Sequence, residues 1–85
     1  MNAVYADEFI KQFRKLPQSA RNRFHTQEQI FKKNWHDARL HTKKLKGTPQ
    51  IFSFRITRTY RALFMFIEPN TALLATIGHR KDVYR

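Results

Sequence analysis

Apolar residues recur at helical spacing in the first half of this chain and at strand spacing in the second. After a short apolar opening, NAVY, the stretch ADEFIKQFRKL puts Phe9, Ile10, Phe13 and Leu16 three and four residues apart, with Lys11, Gln12, Arg14 and Lys15 facing away. That is one face of an amphipathic helix, with Asp7 placed to cap its start. Pro17 ends this helix or opens the next, since it lacks an N–H and disfavours a helical residue before it. From about Gln18 to Asn34 a second helix follows from the recurrence of Ala20, Phe24, Gln27, Phe31 and Trp35, with Ile30 alongside.

HDARLHTKKLKGTPQ is polar and basic, and Gly47 with Pro49 marks a turn. Beyond it the period changes to two. In IFSFRIT, Phe52, Phe54 and Ile56 alternate with Ser53, Arg55 and Thr57. In YRALFMFIE both the odd set (Arg61, Leu63, Met65, Ile67) and the even set (Ala62, Phe64, Phe66) are largely apolar, so this strand belongs in the middle of a sheet. Glu68 to Thr71 forms a turn and TALLATIGH a third strand. The expected fold is α+β with the order β-α-α-β-β-β: two antiparallel N-terminal helices packed on a small antiparallel sheet, the NAVY strand added at one edge.

Composition narrows this picture. The 85 residues hold two Gly and three Pro, with no linker or repeat, so residues 1–85 read as one domain. A hydrophobic fraction of 41% with eight Phe, three Tyr and one Trp is too rich for a disordered tail. There is no cysteine, no signal-like start and no apolar run near the length of a membrane span, which points to a cytoplasmic protein. Seventeen Lys and Arg against six Asp and Glu give a formal charge of +11, a field that attracts polyanions: nucleic acid, an anionic membrane surface or an acidic protein.

Cations in the sheet half stand at unusual places. Arg55 interrupts an alternating strand, Arg58 lies in a short connection, Arg61 opens the most apolar strand and Arg80 follows the last one. In an antiparallel meander the start of one strand lies beside the end of the next, so Arg61 and Arg80 are expected to converge. Clustered guanidinium groups repel unless an anion neutralises them, and Arg matches phosphate bidentately. The alternative reading makes each a solvated charge that discourages edge pairing. Tyr84 adds a ring able to stack on a base and a hydroxyl able to carry a proton. His79 adjoins Arg80, although alternation points the two to opposite sides.

No cofactor loop, metal-ligand spacing or paired carboxylates occur. An enzyme built from this set draws its acid and base from Arg, Lys, His and Tyr. Such groups suit metal-independent RNA cleavage, in which the ribose 2′-OH is deprotonated, attacks the adjacent phosphate and the leaving 5′-oxygen is protonated.

The order of elements, together with KKLKG, FRITRTYRALF and IGHRKDVY, resembles the RelE/ParE superfamily of bacterial and archaeal type II toxins over essentially the whole chain. The resemblance implies a microbial-RNase-like fold and, for the RelE branch, cleavage of mRNA on the ribosome, blocked by a co-encoded antitoxin. By that resemblance Arg55 corresponds to a sheet lysine of the family, Arg61 to its transition-state arginine, Arg80 to the proposed general acid and Tyr84 to the base or stacking residue, with His79 as a further catalytic candidate. Lys43, Lys44 and Lys46 correspond to the segment that meets ribosomal RNA, and Arg58 and Lys81 join them as candidate RNA- or ribosome-binding residues.

The sequence departs from that pattern in three places. Ser53 stands where RelE-type members often have a second lysine, an absence that either reduces activity or moves the charge role to Arg58 or His79. The turn before Arg61 is short. The sequence also ends one residue past Tyr84, which leaves out a C-terminal helix and sets a carboxylate near Tyr84. The expected partners are a cognate antitoxin, the ribosome and mRNA, with no metal or membrane. The competing expectations are a ParE-like inhibitor that binds DNA gyrase without cutting, and a degenerate member that only binds nucleic acid.

Overall fold

In the computed structural model, which describes residues 1–84, the helical pattern becomes α1 (Asp7–Arg14) and α2 (Gln18–Lys33). Asp7 is the first residue of α1 rather than its cap. Ala6 holds the cap position without a side-chain bond, and Asp7 and Glu8 instead place negative charge in the first turn, where the helix dipole favours it. Pro17 both closes one helix and caps the next, its carbonyl accepting from the N–H groups of Ala20 and Arg21. Phe9 and Phe13 of α1 meet Phe24 of α2, each with ring centroids 5.3 Å apart.

The strands are β1 (Asn2–Tyr5), β2 (Lys43–Lys44), β3 (Phe52–Arg55), β4 (Tyr60–Glu68) and β5 (Thr71–His79), in the spatial order β1-β5-β4-β3-β2. As its two-sided apolar pattern requires, β4 lies in the centre. β1 joins β5 at the edge but runs parallel to it, so the sheet is mixed rather than wholly antiparallel. Two further elements add to the expected order. Lys43–Lys44 of the basic segment pairs with β3 as an outer strand, and Arg80–Val83 closes into one helical turn, α3. Residues 38–40 add a turn of 3-10 helix before β2.

Both helices cover one face of the sheet. Phe31 stacks on Phe54 at 4.6 Å and meets Phe64 edge-on at 4.8 Å, and all three are wholly buried. Leu16, Ala20, Leu40, Ala62, Ala72, Leu74 and Ile77 belong to the same apolar cluster. Alternation turns Ser53, Arg55, Arg61, Leu63 and Gly78 to the opposite face, which no helix of the first half covers. Among the described residues no helix is long and apolar enough to cross a membrane. Arg85, and with it the carboxylate placed near Tyr84 by the sequence, lies outside the described residues.

Candidate phosphate-binding cleft

Register brings the cations of the open face together. Arg55 on β3 pairs with Arg61 on β4, and Arg61 pairs in turn with Gly78 on β5, two residues before Arg80. A cleft of about 310 Å³ is lined by His41, Lys43, Arg55, Arg61, Arg80, Lys81 and Tyr84. None of these is acidic, so among the described residues the cleft has no internal counter-charge, and Coulomb repulsion makes an anion its natural occupant.

The β3–β4 connection fixes Arg61. Thr57 Oγ1 accepts from the N–H groups of Thr59 and Tyr60, both at 3.1 Å, which folds the connection tightly. Its carbonyls then ring one end of the guanidinium: Arg61 Nη1 donates to Thr57 O at 2.7 Å and lies 3.1 Å from the carbonyls of Arg58 and Tyr60. Burial, and then the charges of Arg55 and, more weakly, Arg80, hold Arg61 below the usual arginine pKa, while Tyr84 beside it acts the other way. Arginine stays charged through such a shift, so the cost of the cluster is held in the fold until an anion arrives.

Arg55 is positioned from behind. Gln27 of α2 is 1% exposed, and its Nε2 donates to Arg55 O at 2.9 Å and to Arg39 O at 3.2 Å. This one side chain ties helix, 3-10 turn and β3 together at the cleft. The Arg55 Nε–H is buried with no partner among the described residues.

Arg80 and Tyr84 arrive on α3. The Arg80 N–H donates to Thr59 O at 2.8 Å, joining the end of β5 to the connection that holds Arg61. Val83 packs over Gly78: a Cβ there would stand 3.3 Å from Val83 Cγ1, so the absent side chain lets the turn lie down on the sheet. Tyr84 follows, 45% exposed, with its hydroxyl sharing a 3.0 Å hydrogen bond with Oγ of Ser53, which is 2% exposed. The position expected to have lost a cation thus holds the tyrosine. Lys43, the register partner of Ser53, lines the same cleft.

His79 lies elsewhere. Its Nδ1 accepts from the Lys81 N–H at 3.1 Å and so caps α3, and its ring meets Tyr60. It lines a separate cavity of about 440 Å³ with Glu8, Gln12, Lys15 and Asp82. That cavity is larger but mixes both charge signs. Arg58 is exposed in the connection and meets Arg61 only through its carbonyl, and Lys46 lies outside the cleft. Neither Arg58 nor His79 is among the residues that line the arginine cleft. Lys44 faces the other side of the sheet, 5.9 Å from the Phe52 ring centre. His41 is a cleft residue that the sequence pattern did not single out. Among the described residues no three His, Asp or Glu cluster as metal ligands.

No family model matches this chain, and no curated protein matches it either. Solved structures do. The RelB–RelE antitoxin–toxin complex from Methanococcus jannaschii is similar with a TM-score of 0.77 and 23% identity, covering 95% of this chain and 94% of that one. YafQ from E. coli strain BL21(DE3) aligns with a TM-score of 0.79 at 9% identity, covering 99% and 98%. A YoeB/ParE toxin from Agrobacterium tumefaciens gives 0.78 at 13%, covering 94% and 99%. The fold is that of RelE-, YoeB- and YafQ-type toxins.

Proposed function

We propose that this chain is the toxin of a type II toxin–antitoxin system and a ribosome-dependent mRNA endonuclease. The observation that carries the reading is the convergence of Arg55, Arg61, Arg80 and Tyr84 on one cleft that has no acidic residue among the described residues. The similarity of the fold to toxins, one of them solved with RelB, supports it.

In this reading the scissile phosphate enters between Arg55 and Arg61. Deprotonation frees the ribose 2′-oxygen, which bonds to phosphorus while the bond to the 5′-oxygen breaks, leaving a 2′,3′-cyclic phosphate and a 5′-hydroxyl. Arg61, already oriented by the Thr57 carbonyl, stabilises the extra negative charge together with Arg55 and Lys43. Tyr84 takes the base or stacking role at the mouth, and Arg80, as general acid, gives the leaving 5′-oxygen its proton. Arginine is a weak acid, so the ribosome supplies orientation of the RNA that the isolated cleft does not. A co-encoded antitoxin neutralises the cationic surface and blocks the cleft.

Expression in cells with mapping of mRNA 5′ ends tests this, with Arg80→Ala and Tyr84→Phe beside the native chain. Codon-phased cuts that vanish in both variants are expected. Growth arrest with intact mRNA and a DNA-damage response would instead indicate a gyrase-directed toxin, and absence of any growth effect a chain that only binds nucleic acid.

A further inference from the structure

The outer strand β2 divides its two lysines between two cavities. Lys43, opposite Ser53, turns to the arginine cleft, and Lys44, opposite Phe52, turns to the far side of the sheet. There a second cavity, again about 310 Å³, is lined by Trp35, His36, Asp37, Thr42, Lys44 and Phe52. His41 borders both cavities, at a left-handed backbone position with φ 47° that turns the chain from the 3-10 helix toward β2.

The second cavity is aromatic, with Lys44 as a cation and with the Asp37 carboxylate already ion-paired to Arg39. Trp35 meets the core with its edges, at 5.3 Å from Phe52 and 5.1 Å from Phe66. The exposed ring of His36 lies over the indole, with centroids 3.6 Å apart and planes tilted by 35°. The loop is braced: Thr42 Oγ1 donates to Trp35 O at 2.7 Å, and the His36 N–H donates to Asn34 Oδ1 at 3.1 Å. An exposed imidazole on a half-buried indole, beside a lysine, has the makeup of a surface for single-stranded nucleic acid, where bases stack on flat rings and cations track the backbone.

We propose that this cavity is a nucleotide subsite that takes the base of an unpaired nucleotide further along the strand that enters the arginine cleft. The RNA strand rounds the β2 edge past His41, its phosphates following Lys43 and Lys44, and the base stacks on the His36–Trp35 pair. The proposal rests on the reading of the arginine cleft as RNA-binding. It adds to that reading a contact on the opposite side of the sheet, remote from the reacting atoms.

Trp35 is the one tryptophan in the chain, so selectively excited indole emission comes from it; it also borders a cavity with Lys32 and Lys33, and the His36→Ala variant assigns the change to this one. The full chain is titrated at one fixed salt concentration with a short 2′-O-methyl RNA, which cannot be cleaved, while the anisotropy of a labelled copy follows binding. A saturable change in Trp35 emission in step with anisotropy is expected. His36→Ala, at an exposed position, should keep the native circular dichroism, weaken binding about fivefold or more, the low end for one lost stack, and shrink the emission change. Arg80→Ala should retain the emission change. Binding with flat Trp35 emission, an equal response to duplex DNA, or no binding overturns the subsite. Loss of cleavage in cells with the Trp35 response intact would sink the nuclease reading and leave the subsite standing, so the two failures are distinguishable.

Discussion

The Ser53–Tyr84 bond joins a buried hydroxyl to a half-exposed one, and that inequality makes a directional prediction. Ser53→Ala removes the buried partner and leaves the Tyr84 hydroxyl, on a residue 45% exposed, able to turn to water. The loss is then the net value of one hydrogen bond, about 0.5–1.5 kcal/mol. Tyr84→Phe leaves Ser53 Oγ, on a residue 2% exposed, without the partner it has in the structure. The desolvation of that hydroxyl goes unrecovered, at about 1–3 kcal/mol.

The double variant removes both polar groups and so escapes that penalty. Adding Ser53→Ala to Tyr84→Phe is therefore expected to raise stability, although Ser53→Ala lowers it in the native background. Equilibrium urea unfolding of the four proteins measures this, with midpoints compared at constant slope. A difference of 1 kcal/mol corresponds to about 4–8 °C in Tm for a domain of this size, so calorimetry resolves it too. A double variant less stable than Tyr84→Phe, or a Tyr84→Phe protein more stable than Ser53→Ala, would refute the reasoning.

Other perturbations test the remaining supports of the cleft. Gln27→Leu keeps side-chain bulk but strips the carbonyls of Arg39 and Arg55 of a donor, and should cost about 1–3 kcal/mol in urea unfolding while lowering RNA cleavage. Gly78→Ala should change stability by less than about 1 kcal/mol, because among the described residues Val83 alone stands close, yet slow cleavage about tenfold by shifting the turn that carries Arg80 and Tyr84. Lys43→Ala should leave unfolding unchanged and reduce the slope of log K against log salt for single-stranded RNA by about 0.7. Asp37, hydrogen-bonded by Arg39, has its pKa lowered from 3.8 to about 2. A depressed carboxylate stabilises the fold above its unfolded pKa and loses that contribution as pH falls toward 2, so an Asp37→Asn protein should show a flatter acid limb between about pH 4 and 2 in denaturation curves.

The two long strands were legible in the sequence to their ends as apolar runs between turn residues, Tyr60–Glu68 and Thr71–His79, although register shifts at Leu63/Phe64 and Phe66/Glu68 break the period of two between them. The short elements were not. β2 is two lysines whose strand character comes entirely from pairing with Phe52 and Ser53, and α3 is a single turn too brief to leave a periodic signal. The parallel setting of β1 depends on where α1 and α2 return the chain, which local pattern does not encode. At the cleft, meander register was enough to bring Arg55, Arg61 and Arg80 together. The partner of Tyr84 was hidden because it depends on a turn folding over Gly78, where the informative feature is an absent side chain. Likewise His41 entered the cleft through one left-handed residue, invisible to any count of charges.

The pairing of β1 with β5 joins residues 2–5 to residues 71–74, almost the full length of the chain apart. During synthesis the first strand emerges early and has no partner until the last strand follows it. Arg80 and Tyr84, later still, complete the cleft only after both edges of the central strand are filled. On the proposed reading, a chain that attacks the translation machinery stays chemically unarmed for as long as that same machinery is making it, and the order of emergence acts as a delay that protects the ribosome at work.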